Sequence, residues 1–260
     1  NGQTGTAYSS TGNLSASGQS ITINTTTTTA SGISNTGTIT GGVVSLSSTQ
    51  STATATATLI SSTGLITANR LTVTGSGGAA ATIVSLGAIT MNAGGGDLSV
   101  TATNASAGGN TGITQTGAIT NSAAGSNVVF VSNNSISQSG AIALVANTGV
   151  PIANVIYDTT SGNRSSNISA AALTFTTGAS SVINYLAKAA GGAITTAAIG
   201  TSSASLPGSV TIDNTFGCTG SGCTPATGFI TSSNAATLAT ASVGVTISGA
   251  IYTTGNITVN

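Results

Sequence analysis

Apolar and polar residues alternate with a period of two along most of the chain. Ile21-Thr22-Ile23-Asn24, Ala53 to Thr58, Leu71-Thr72-Val73-Thr74, Leu98-Ser99-Val100-Thr101 and Ile257-Thr258-Val259-Asn260 each set apolar side chains against hydroxyls or amides. Successive side chains of a strand point to opposite faces, so this pattern predicts short strands with one buried face. The β-branched Thr, Val and Ile suit a pleated surface. No segment holds a helical period for more than a turn or two; Ser181 to Ala190 is the one stretch ambiguous between helix and strand. Gly41-Gly42, Gly77-Gly78, Gly94-Gly95-Gly96, Gly108-Gly109 and Gly191-Gly192 punctuate the strands and read as corners.

A loose repeat runs through the pattern: an aliphatic residue, two or three polar residues, then Gly-x-Ile. It is clearest in Ile33 to Ile39, Ile113 to Ile119 and Ile136 to Ile142, with variants at Gly64-Leu65-Ile66, Gly87-Ala88-Ile89, Gly192-Ala193-Ile194 and Gly249-Ala250-Ile251. The glycines stand at 37, 64, 87, 117, 140, 192 and 249, and the last two intervals read as double steps. A repeat of about 26 residues, with Gly/Asn turns and no substantial helix, predicts an all-β parallel β-solenoid of roughly ten coils in a single domain over residues 1–260. A propeller blade is longer and carries aromatic signatures that are missing here.

Composition sharpens this picture. Only Arg70, Asp97, Asp158, Arg164, Lys188 and Asp213 carry charge, histidine is absent, and the formal net charge is zero. Phosphate neutralisation needs clustered cations, so a nucleic-acid partner is not expected. Catalysis by positioned acids and bases has few groups to draw on, so no enzyme activity and no cofactor is expected. Hydrophobic residues make up 39% of the chain and mean hydropathy is +0.39, enough to bury a continuous core. No run of about 18 apolar residues is present, so no transmembrane helix is predicted. The chain starts Asn1-Gly2-Gln3-Thr4, which reads as a mature product or an excised segment. Cys218 and Cys223, separated by four small residues, read as a local disulfide loop and hence an oxidising compartment.

Ile113-Thr-Gln-Thr-Gly-Ala-Ile-Thr120, Ile136-Ser-Gln-Ser-Gly-Ala-Ile142, Thr254-Gly-Asn-Ile-Thr-Val259 and Gly12-Asn-Leu-Ser-Ala-Ser-Gly18 resemble the repeats of filamentous-haemagglutinin-like exoproteins, bacterial adhesins of the two-partner secretion and autotransporter type. The resemblance implies a right-handed parallel β-helix, export across an outer membrane, and an extracellular or cell-surface location. It also implies few cysteines or one close pair, as at Cys218 and Cys223.

Several residues invite a chemical reading beside a plainer one. Gly94-Gly95-Gly96-Asp97-Leu98 partly resembles a calcium-binding glycine-rich repeat but occurs once; a turn before a strand from Leu98 to Thr103 is the plainer reading. Asp158 and Arg164 flank Thr159 to Asn163 and read as a solvated turn or loop salt bridge rather than a lyase site. Thr25 to Thr29 and the alternating Thr52, Thr54, Thr56 and Thr58 are either the polar face of a strand or an ice-binding array. Seven Asn-x-Ser/Thr sequons, at Asn13, Asn24, Asn104, Asn133, Asn163, Asn167 and Asn256, are compatible with chance in this composition.

The expected function is therefore a non-enzymatic extracellular structural protein that joins end to end into a fibre or forms an adhesin stalk. Its partner is itself or the rest of a longer chain. Ile257, Thr258, Val259 and Asn260 are the candidate assembly strand, because an uncapped solenoid end leaves backbone groups unpaired. The alternatives are a passenger that binds cell-surface glycans and an ice-binding solenoid.

Overall fold

The computed structural model describes residues 5–80, 82–92, 96–105, 111–121, 127–146, 153–161, 166–177, 183–189, 191–200, 209–213, 236–237, 245–251 and 257–259. These residues form an all-β parallel solenoid without helix. The first three turns contribute β1 (Tyr8–Ser10) and β2 (Leu14–Thr27), β3 (Ile33–Asn35) and β4 (Ile39–Gln50), and β5 (Ile60–Ser62) and β6 (Ile66–Gly77). In the next three the long strand divides. They hold β7 (Thr82–Leu86), β8 (Ile89–Met91) and β9 (Leu98–Thr103); β10 (Thr111–Gln115), β11 (Ile119–Asn121) and β12 (Val128–Ser132); and β13 (Ser135–Gln138), β14 (Ile142–Ala146) and β15 (Ala153–Asp158).

About six turns, from Tyr8 to Asp158, are thus described nearly throughout, fewer than the ten coils expected from the repeat. Further strands extend the same ladders: β16 (Ser166–Ala170), β17 (Leu173–Thr177), β18 (Ile183–Lys188), β19 (Gly191–Thr196), β20 (Ser209–Asp213), β21 (Ala236–Thr237), β22 (Val245–Ile247), β23 (Ala250–Ile251) and β24 (Ile257–Val259). Among the described residues one face is a nine-stranded sheet, β1-β3-β5-β7-β10-β13-β16-β19-β22, and the other two faces share one sheet that bends between them. All pairings are parallel except the short β21–β23 contact.

The core consists of columns in which an aliphatic residue of one turn lies on an aliphatic residue of the next. Ile33, Ile60, Val84, Ile113, Ile136, Ile168, Ile194 and Val245 form one column. Leu14, Ile39, Ile66, Ile89, Ile119, Ile142, Leu173, Ile199 and Ile251 form a second. Nearly all of these side chains are fully buried. Burying an aliphatic side chain stabilises by on the order of 1.5–3 kcal/mol, so each turn gains from the one beneath it.

The Gly-x-Ile repeat has a steric cause. At each of these corners the backbone rests on the corner of the previous turn. A Cβ on Gly37 would overlap the carbonyl of Gly12; on Gly64, that of Gly37; on Gly87, that of Thr63; on Gly117, the backbone of Ala88; and on Gly140, the carbonyl of Gly117. The glycine is required by contact between backbones. Positive φ is found elsewhere, at Gly18, Gly77, Gly78 and Gly200.

Register corrects several sequence expectations. Gly192-Ala193-Ile194 does not begin a corner like the other Gly-x-Ile triplets: Ile194 pairs with Ile168 in the first sheet. The corner positions in those turns are Ala171-Ala172-Leu173 and Ala197-Ala198-Ile199, whose Leu173 and Ile199 continue the isoleucine column. Ile199 bridges directly to Ile251, so the interval read as a double step ends in a single long turn. Ala53 to Thr58 is a loop between β4 and β5, where Ala55 is buried and donates its N–H to Thr52 in a turn. Its alternation lacks the large aliphatics that hold a strand in the stack. Gly41-Gly42 sits inside β4 where the strand bends between faces, with Gly42 close against Gly18. The ambiguous Ser181–Ala190 stretch contains strand β18.

Gly140→Ala is expected to destabilise by about 1–3 kcal/mol or more, because the backbone must shift to admit a methyl group. Gly12→Ala, in the first described turn where nothing lies within 4 Å of the added Cβ, is expected to be nearly neutral. Thermal or denaturant midpoints of the two variants check this pair.

Candidate functional surface

The corner leading out of the first sheet is stitched by inward amides two residues before the glycine. Asn35 Nδ2 donates to the Gly37 carbonyl (2.6 Å). Gln115 Nε2 donates to the carbonyls of Gly117 and Gly87. Gln138 Nε2 donates to the Gly140 carbonyl and to Gln115 Oε1, while its own Oε1 accepts from Ala171 N (2.8 Å) and from the Tyr157 hydroxyl (3.0 Å). These amides are buried and satisfy corner carbonyls that sheet pairing leaves over. Period-two alternation puts Asn35, Gln115 and Gln138 on the inward face of Ile33, Ile113 and Ile136, two residues earlier, but their polarity reads as the start of a turn.

Phe130, Tyr157 and Tyr185 replace aliphatics in the core of three successive turns, with centroids 5.5 Å and 5.8 Å apart. All three are fully buried, and the Tyr185 hydroxyl has no hydrogen-bond partner among the described residues. Burial raises the Tyr157 phenol well above its ordinary 10.0, with Tyr185 adding to the effect, and burial raises Tyr185 too.

The charged residues fall at defined positions. Asp97 Oδ1 accepts from Asn127 N (2.8 Å) and Nδ2 (3.2 Å), and Asn127 Oδ1 accepts from Asn154 N (3.0 Å) and Nδ2 (2.9 Å). Asp97 is thus the first step of an amide ladder ahead of β9, the strand expected from Leu98 to Thr103. Asp158 Oδ1 accepts from Thr160 N (2.8 Å) and Oγ1 (2.6 Å), closing a local turn; Arg164 lies outside the described residues. Asp158, Lys188 and Asp213 lie in register in consecutive turns; Asp158 and Lys188 are half-buried on the outer side, and Asp213 is buried. Among the described residues no three His, Cys, Asp or Glu cluster as metal ligands. No helix among them is long and apolar enough to cross a membrane.

The outward face of β2, β4, β6 and β9 is a grid of short polar side chains. Thr22, Ser45, Thr72 and Ser99 form one column, Asn24, Ser47, Thr74 and Thr101 a second, and Thr26, Thr49, Ser76 and Thr103 a third. Thr25 and Thr27 of the expected array point inward or are half-buried, and Thr52 to Thr58 lies in the loop.

The two ends differ. In the first described turn the inward residues Tyr8, Leu14, Ile21 and Ile23 are only partly buried against the core. In the last, Ile257 and Val259 are 5% and 3% exposed. Ile257, Thr258 and Val259 pair with Val210, Thr211 and Ile212 of β20 on one side. Asn260, Cys218 and Cys223 lie outside the described residues.

Comparison with protein-family models, curated proteins and solved structures finds no match for this chain.

The buried phenols carry a pH dependence. Their folded-state pKa values lie above the unfolded value near 10, so above that pH the unfolded chain binds fewer protons than the native one. Stability is therefore expected to be fully present below pH 10 and to fall as pH rises beyond it. In a spectrophotometric titration, ionisation of Tyr157 and Tyr185 is expected to coincide with unfolding; two Tyr→Phe substitutions, at 157 and 185, should remove that step.

Proposed function

We propose that the protein is a non-enzymatic structural component of the cell exterior, whose solenoid lengthens by adding turns from another copy or from a longer chain. The observation that carries this reading is the first turn: its inward apolar residues stay partly exposed while the equivalent residues of later turns are buried. A further turn laid on β1 and β2 covers them and pairs the backbone edge that has no partner strand among the described residues. The last strands are suited to be that turn. Val245-Thr246-Ile247 continues the column that starts at Tyr8-Ser9-Ser10, Ile251 that of Leu14, and Ile257-Thr258-Val259 that of Ile21-Thr22-Ile23. The uncharged columns put no like charges opposite one another at such a joint. The resemblance to filamentous-haemagglutinin-like exoproteins supports the same reading and the same location, as a fibre or an adhesin stalk, and the Cys218–Cys223 pair fits an oxidising exterior.

Purified chain is expected to form fibres by electron microscopy. A Thr22→Cys chain mixed with a Thr258→Cys chain should cross-link head to tail, since neighbouring strands lie about 4.8 Å apart, within disulfide reach. Ile21→Asp with Ile23→Asp should abolish both without changing the β-sheet circular dichroism. Monodisperse short rods at high concentration would remove the proposal.

The hydroxyl grid on β2, β4, β6 and β9 favours a second reading, binding to an ordered water surface. Twelve outward positions over four turns carry eleven hydroxyls and one amide in register, on a rigid face. Thermal hysteresis and inhibition of ice recrystallisation that disappear in Thr72→Lys with Thr74→Lys are the expected result. Their absence in the unmodified chain rejects this reading.

A further inference from the structure

The outward face changes character at the fifth turn. The column Thr22, Ser45, Thr72, Ser99 continues as Val129, Ile156 and Leu186, then returns to hydroxyls at Thr211 and Thr258. The three aliphatic side chains stand on the outer side, half-buried, between inward neighbours that are fully buried. In the adjoining column lie Asp158 and Lys188, half-buried on the outer side in consecutive turns and opposite in sign, followed by Asp213, which is buried. The aliphatic stripe and the charge pair thus fall side by side, with Val131 preceding Asp158 in the charge column, where earlier turns carry mostly hydroxyls.

The fold requires neither feature there. Thr and Ser fill the same column above and below, and the inward columns already bury the strand's other face. A contiguous apolar stripe kept in contact with water marks a contact surface.

We infer that this face docks laterally against a second copy of the chain, with the two solenoid axes antiparallel. The charge column decides the occupant. Its accessible members, Asp158 and Lys188, carry opposite sign in adjacent turns, so it does not match a partner of uniform charge such as a nucleic acid. It does match itself about a two-fold axis that runs along the strands between the sixth and seventh turns. That axis sets Lys188 of each copy against Asp158 of the other and, in the same step, sets Ile156 against Leu186. An axis on the seventh turn would set lysine against lysine, and one between the seventh and eighth would set Leu186 against Thr211, so the charges and the stripe together fix the offset.

This surface is separate from the solenoid ends, so the test is made in the Ile21→Asp, Ile23→Asp background and in the unmodified chain. Sedimentation equilibrium is expected to show a concentration-dependent dimer in both, with larger species added only in the unmodified chain. Ile156→Thr with Leu186→Thr, which installs the residue type used elsewhere in the column, should return the dimer to monomer with an unchanged melting midpoint. Lys188→Glu should weaken the dimer by about tenfold or more. Should the head-blocked chain not fold, the unmodified chain alone decides, through the width of its fibres: paired for the inference, single against it. A monomer at the highest soluble concentration, or a dimer indifferent to the two threonine substitutions, overturns the inference whether or not fibres form.

Discussion

Backbone resting on backbone at the Gly-x-Ile corner is the constraint from which the rest of the structure follows. Where Gly140 lies on Gly117 and Gly117 on Ala88, no side chain fits between the turns. That closeness fixes the height of each turn above the last and so brings the three faces into pairing distance together. The isoleucine two residues on then falls on its counterpart, from Ile39 through Ile142 to Ile251. The amides of Asn35, Gln115 and Gln138 turn inward at the same corner and bond the glycine carbonyls that the sheets leave over. Corner, column and amide are one device repeated along the axis.

A column places like on like, and this filters the residues a solenoid tolerates. Aliphatics, hydroxyls and amides are each compatible with copies of themselves; a charge is not. The near-absence of charged residues follows from that filter. The column of Asp158, Lys188 and Asp213 obeys it by alternating sign. The aromatic trio of Phe130, Tyr157 and Tyr185 obeys it by packing ring on ring, stacked in the first pair and tilted in the second, with Gln138 accepting from one hydroxyl.

The strand content and the repeat were legible in the sequence because period two and the Gly-x-Ile triplet both arise from geometry local to a few residues. Strands at Ile21, Leu71, Leu98 and Ile257 follow directly from it. Register was not legible. Ala171-Ala172-Leu173 and Ala197-Ala198-Ile199 fill corners without a glycine, while Gly192-Ala193-Ile194 mimics a corner from inside a strand. Triplet spacing alone cannot tell these apart; only the fit of whole turns does. The surface was hidden for the same reason. Val129, Ile156 and Leu186 become neighbours only when turns of unequal length are stacked, and the same holds for the charges at 158, 188 and 213. Spacings near the repeat length hinted at the charge column; composition treated those charges as scattered.

The bonds between turns, such as Ile39 N to Leu65 O and Ile66 N to Ala88 O, run along the axis of the rod, with the strands lying across it. A pull on the two ends therefore opens these bonds in line instead of sliding strands past one another. Each turn is also joined to the next by the chain, so when one level parts it releases a length of polypeptide and leaves the levels beyond it closed. Under load such a rod yields by lengthening in steps, and the slack it releases returns when the turn closes again.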